Sequence, residues 1–218
     1  MCASQYDTDN WVSDATEMAF RESPPTTAVD AKGLVLVAAP DSAVAGDTAL
    51  QVGIGAAERP TCLVATAASP VELESYLSDR APTRPALGFV DATPNRPPPA
   101  VKDEIQALED VPGANDLLQL VTAVEEVCEV IAPDDQPRNI VIPAVDSLLG
   151  GVPTDRVVRV LSHIAESTNG TGTVVVGLTY TAGSHETLRT LQEHSDAVLW
   201  AEQGPDGTVE FEFEPQRR

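Results

Sequence analysis

The chain is punctuated by short runs of apolar residues that show no alternation. Leu34–Ala39 is the first, closed by Pro40-Asp41, and comparable runs follow at Cys62–Thr66, Leu87–Val90, Asn139–Val145 and Thr173–Tyr180. Runs of this length bounded by turn residues predict strands buried on both faces. Between them the apolar spacing changes to a helical one. Leu117, Val121, Val124, Cys128 and Ile131 recur in steps of three and four, which predicts an amphipathic helix. Val157, Leu161 and Ile164 predict another behind a Thr154 cap, and Leu188 and Leu191 a short one behind Ser184. A small-residue helix is expected from about Asp47 to Glu58, and Ser69-Pro70-Val71-Glu72 reads as a capped helix start. Residues 94–115, broken by Pro97-Pro98-Pro99 and Val111-Pro112-Gly113, leave room for one short helix around Ile105. Finally Ala197–Ala201, the turn Gly204-Pro205-Asp206-Gly207 and the alternating Val209-Glu210-Phe211-Glu212-Phe213 predict a closing hairpin.

Strands and helices thus alternate over residues 33–202. The expected class is α/β: a mostly parallel central sheet, helices on both faces, and an antiparallel hairpin at the C-terminal edge. Pro143 interrupts the fourth run, where it removes a ladder hydrogen bond and so predicts a bulge or an unpaired group. Residues 1–31 are polar and carry Pro24 and Pro25, so they read as an N-terminal arm that is either loose and flexible or docks through Trp11 and Phe20. Residues 32–218 form the domain, and a chain of 218 residues suits a single one.

Composition changes the functional picture. Thirty-four acidic residues against 13 basic ones leave a formal charge of −21, which argues against nucleic-acid binding because phosphates are neutralised by Lys and Arg. Only Lys32 and Lys102 are lysines, and aromatic residues make up 4% of the chain. An acidic, lysine-poor, small-residue surface is the expected signature of a halophile, where a Debye length of about 3 Å at 1 M salt screens self-repulsion. No apolar run approaches the roughly 20 residues of a membrane span. The first residues, MCASQYDTDNW, lack the pattern of a signal peptide, so a cytoplasmic protein is expected. Cys2, Cys62 and Cys128 share no metal-ligand spacing, and Cys62 and Cys128 read as small core residues.

In parallel α/β sheets ligands gather at the C-terminal ends of the strands, so the segment after the first strand is the first place to look. It reads Asp41-Ser42-Ala43-Val44-Ala45-Gly46-Asp47-Thr48. Against the phosphate-binding pattern G-x-x-x-x-G-K-[ST], Gly46 and Thr48 match, whereas Asp41 replaces the first glycine and Asp47 the lysine. A lysine near a phosphate attracts it and an aspartate repels it, each by about 4 kcal/mol at most for a 4 Å pair at an effective dielectric of 20. Even heavily discounted for solvent, that inversion weakens triphosphate binding by several factors of ten.

These residues, the strand Asn139-Ile140-Val141-Ile142-Pro143-Ala144-Val145-Asp146-Ser147-Leu148, the turn Val111–Leu117 and the final hairpin resemble the RecA-fold ATPases of the KaiC type, in particular divergent members from salt-loving archaea. The resemblance covers about residues 33–213. It implies a RecA-like sheet, and it places Asp146 where the family holds its magnesium. It also places Ala67 and Ala68 where the family carries the glutamates that activate water. Three catalytic parts are therefore altered at once. The reading that follows is a pseudo-ATPase: a non-catalytic regulatory or signalling module acting through a protein partner or self-association, with no cofactor. The alternative is a switch that binds ATP and magnesium weakly with little hydrolysis. Gly46, Thr48 and Asp146 also admit structural roles: a backbone requirement, a bond to N–H groups at a helix start, and a bond to N–H groups where a strand meets its loop.

Overall fold

The computed structural model describes residues 24–55, 59–67, 86–93, 105–133, 136–168 and 172–216. The strands are β1 (Gly33–Ala39), β2 (Thr61–Ala65), β3 (Leu87–Asp91), β4 (Ala107–Asp110), β5 (Asn139–Ile142), β6 (Thr173–Thr179), β7 (Ala197–Gln203) and β8 (Val209–Pro215). The helices are α1 (Thr26–Val29), α2 (Ser42–Gly55), α3 (Leu117–Ile131), α4 (Asp146–Leu149), α5 (Thr154–Ser167) and α6 (His185–His194). One sheet of eight strands runs in the order β4-β3-β2-β5-β6-β1-β7-β8. All neighbours are parallel except β7 and β8, which pair antiparallel through the expected turn. Gly207 closes that turn at φ 80°, and Gly204 N–H donates to Thr208 O at 2.7 Å.

The central strands are apolar on both sides because both sides are covered. Leu34, Leu36 and Ala38 of β1 point into one core with Ile140, Ile142, Val174 and Val176, where Leu120, Val124, Leu161 and Ile164 of α3 and α5 meet them. The intervening Val37, with Val141, Val175 and Leu199, faces the other core beneath Ala49, Leu50 and Val52 of α2. Burying one such Leu or Val side chain contributes roughly 1.5–3 kcal/mol, so the strand runs serve both layers. Hydrophobic burial on β8 is one-sided, with Phe211 and Phe213 half-buried and Glu210, Glu212 and Glu214 exposed.

Four elements differ from the sequence reading. Residues 107–110 are an edge strand beside β3, not part of a helix around Ile105 (Gln106 N–H donates to Leu87 O at 3.0 Å, drawing the segment alongside). The fourth strand ends at Ile142, three residues before Val145. Pro143 therefore lies outside the ladder and needs no bulge, and α4 follows almost at once. Thr154 is the first residue of α5 and makes no capping bond. The largest difference concerns α2, which begins at Ser42 and not near Asp47, and ends its described span at Gly55. Among the described residues no helix is long and apolar enough to cross a membrane. The capped helix expected from Ser69, and residues 1–23 of the arm with Trp11 and Phe20, lie outside the described residues; within the arm, Ala28 of α1 is fully buried.

Candidate functional site

The C-terminal ends of β1, β5 and β6 lie side by side, since β6 separates the other two. At the end of β1 only Pro40 and Asp41 intervene before α2. The N–H of Ala43 donates to Asp41 Oδ1 at 2.8 Å, that of Val44 to the same oxygen at 3.3 Å, and Ala45 N–H donates to the Asp41 carbonyl at 3.0 Å. Asp41 is therefore the N-cap of α2. A helix start leaves its first N–H groups unpaired and carries a partial positive charge, and a carboxylate answers both.

This geometry removes the feature the motif is named for. In a phosphate-binding loop the residues between the two glycines arch so that successive N–H groups face an anion. Here Ser42–Ala45 form the first helical turn, and the seat for an anion is held by the chain's own carboxylate. Thr181 Oγ1 braces the turn by donating to Pro40 O at 2.6 Å, and Tyr180 N–H donates to Ala39 O at 3.0 Å.

The remaining motif residues follow on the same helix. Gly46 faces Pro143, whose carbonyl oxygen would lie 3.6 Å from a Cβ at that position. Asp47 is half-buried in the following turn, where a phosphate-binding protein would carry its lysine. Thr48 is fully buried, and its Oγ1 has no hydrogen-bond partner among the described residues. It sits in the body of α2, far past the cap, so it does not bond N–H groups at the helix start. Helix and sheet approach closely here. A Cβ on Gly177 of β6 would fall 2.2 Å from Pro143 O and 3.1 Å from Ala45 O, so only glycine lets β6 pass beneath.

Asp146 opens α4, and its Oδ2 accepts from Thr179 N–H at 3.0 Å at the end of β6. At the end of β3, Asp91 Oδ1 accepts from both the N–H and the hydroxyl of Thr93, the former at 3.0 Å. Thr66 Oγ1, past the end of β2, donates to Ala144 O at 2.7 Å. Asp41, Asp91 and Asp146 thus each bind backbone N–H groups along one edge of the sheet. Among the described residues no group of three His, Cys, Asp or Glu side chains is placed to hold a metal ion. Ala67 is exposed beyond β2 and offers no base; Ala68 lies outside the described residues. As placed, these residues do not fit a nucleotide triphosphate with its magnesium, because the Asp41 carboxylate already takes the N–H groups of Ala43 and Val44 and Asp47 adds a second acidic side chain in the next turn.

A second concavity was not legible beforehand. A cleft of about 520 Å³ opens between the start of α3 and the loop before α5, lined among others by Asn115, Leu118, Val152, Arg156 and Arg159. Leu118 is 78% exposed, off the apolar stripe of its helix. Arg159 is tied to Asp155 at 2.5 Å, and away from the cleft Arg189 pairs with Glu193 at 3.6 Å. The walls come from segments more than 30 residues apart, and no motif links them.

Comparison with solved structures agrees with the architecture. The chain is similar to PH0250 from Pyrococcus horikoshii OT3, with a TM-score of 0.54 at 11% identity over 85% of this chain and 87% of that one. It is also similar to the flagellar accessory protein FlaH from Methanocaldococcus jannaschii, with a TM-score of 0.50 at 10% identity over 85% and 78% of the two chains. At such identities the likeness concerns the fold alone, a RecA-like α/β fold. No curated protein matches the sequence. The model of a family of unknown function, DUF7504, matches residues 33–200, from the first strand into β7, and the chain belongs to that family.

Proposed function

We propose that the chain is a non-catalytic, KaiC-like pseudo-ATPase that serves a halophile as a regulatory or signalling module through protein contacts. One observation carries the reading: the Asp41 carboxylate bonds the N–H groups of Ala43 and Val44 and so fills the anion seat of α2 with a group of the wrong sign for a phosphate. Asp47 at the lysine position and Ala67 at the base position point the same way, because binding and hydrolysis would each lack a principal group. The halophilic setting is supported by the charge of −21 with only two lysines.

A second reading, a weak nucleotide-binding switch, is favoured by Thr48. Its hydroxyl keeps the motif position and is buried without a partner among the described residues. Opening the first turn of α2 would be needed to use it.

Thermal-shift titration with ATP and magnesium in molar KCl separates the two. The pseudo-ATPase is expected to show no saturable rise in Tm; saturation at micromolar nucleotide overturns it. Light scattering in the same salt is expected to show mass rising with concentration, and a steady monomer removes self-association.

A further inference from the structure

We propose that the outer edge of β8 is a docking edge for an extended segment of another protein in which apolar residues alternate with arginine or lysine. The inference rests on the reading of a module that works through protein contacts, and it names the surface and the chemistry of the partner.

Strand β8 is the last of the sheet, so only one of its sides is taken. Its pairing with β7 sets Trp200 opposite Glu212 and Glu202 opposite Glu210. The same register continues past the strand ends, where Gln216 N–H donates to Asp196 O at 2.9 Å and Gly204 N–H to Thr208 O at 2.7 Å. In an antiparallel ladder every second residue turns both its N–H and its C=O to the neighbouring strand. The even-numbered residues of β8 therefore direct their backbone groups at β7. Val209, Phe211 and Phe213 turn theirs outward, where no strand meets them among the described residues. An edge of this kind is a template for one more strand. Pro215 has no N–H and ends the donor series.

The side chains say what that strand would carry. Phe211 and Phe213 lie on the face of Leu199 and Ala201 and are only half-buried, because the sheet stops beside them. An added strand with apolar residues on this face would cover their open flanks. Glu210, Glu212 and Glu214 lie on the opposite face and are exposed, and Trp200 Nε1–H donates to Glu214 Oε2 at 3.1 Å. Among the described residues no Lys or Arg pairs with these three glutamates. Glu210 instead stands directly across from Glu202, a like-charge pair that destabilises the hairpin. A cation beside Glu210 relieves that repulsion.

A second copy does not suit this edge. Two-fold antiparallel pairing about Phe211 would set Glu210 of each copy against Glu212 of the other. A strand with Arg or Lys at those positions turns each repulsive contact into an attractive one, while its alternate residues meet the phenylalanines.

The test uses the full chain in molar KCl and two synthetic peptides, one alternating valine with arginine and one alternating valine with glutamate. Each is N-methylated along one edge so that it cannot stack on itself. Hydrogen exchange of single amides is followed by NMR. The arginine peptide is expected to slow the Val209, Phe211 and Phe213 amides by about tenfold or more and to leave those of Glu210, Glu212 and Glu214 unchanged; the glutamate peptide is expected to alter none. A Glu210→Lys/Glu212→Lys variant is expected to bind the arginine peptide about tenfold more weakly and to accept the glutamate peptide. Should that variant fail to fold, the contrast between the two peptides on the wild-type protein decides alone. The proposal is overturned when the arginine peptide leaves the outward amides unchanged, or when the two peptides act alike. It is equally overturned when those amides are already protected in the free protein, and light scattering then tells whether a second copy or the chain itself covers them. None of these outcomes bears on the nucleotide titration, so the two readings fail separately.

Discussion

Removing the Asp41 side chain isolates the feature on which the functional reading rests. Asp41→Ala deletes one good hydrogen bond to Ala43 N–H, 2.8 Å, and a longer one to Val44 N–H, 3.3 Å. Loss of an N-cap of this kind costs about 1 kcal/mol. The charge–dipole share, about 0.3–1 kcal/mol at low salt, is largely screened in molar KCl, so about 1 kcal/mol is the expected loss there. For a domain of this size that corresponds to a fall in Tm of about 2–4 °C. The vacated N–H groups become an anion seat, so inorganic phosphate should restore the variant. Recovering about 1 kcal/mol requires phosphate at roughly four times its Kd, which gives a concentration range to scan. Wild type in the same series controls for the general stabilisation that phosphate gives any fold. Differential scanning fluorimetry reads both effects. An Asp41→Ala protein melting with wild type refutes the capping role, and an equal phosphate response in both refutes the claim that the carboxylate occupies the seat.

Three further outcomes are expected. Asp47→Lys alone leaves the cap in place and should gain little affinity for ATP, whereas Asp41→Gly with Asp47→Lys restores G-x-x-x-x-G-K-T and should give a saturable thermal shift; equal behaviour of the single and double variants speaks against the cap as the barrier. Gly177→Ala places a methyl group 2.2 Å from the backbone oxygen of Pro143 and should cost about 1–3 kcal/mol, read as a lower denaturant midpoint with unchanged slope. Dilution from molar KCl to about 0.1 M salt lengthens the Debye length from about 3 to 10 Å and should lower Tm through self-repulsion of the −21 charge, a trend that a flat Tm across the series would contradict.

The alternation of Leu34–Ala39, Cys62–Thr66 and Thr173–Tyr180 with the stripe Leu117–Ile131 was enough to place a parallel sheet between two helical layers, because burial on one face or two leaves a local imprint on hydrophobic spacing. The antiparallel hairpin was equally plain, since Gly204–Gly207 and the alternating strand after it act within a dozen residues. The inverted charges at Asp41 and Asp47 could be named from the motif alone. Their consequence could not. Alignment to a phosphate loop made Ser42–Ala45 look like loop, although an aspartate followed by small residues is also a helix start; which backbone path wins depends on Pro143, Gly177 and Thr181, contributed from other parts of the chain. Ala107–Asp110 lacks the apolar run of an inner strand because it lies at the sheet edge, so its pairing with β3 was invisible until the edge existed. The cleft at Leu118 has the same origin. Periodicity records what each residue needs from its surroundings, whereas the identity of a distant neighbour emerges only when separate segments compete for the same space.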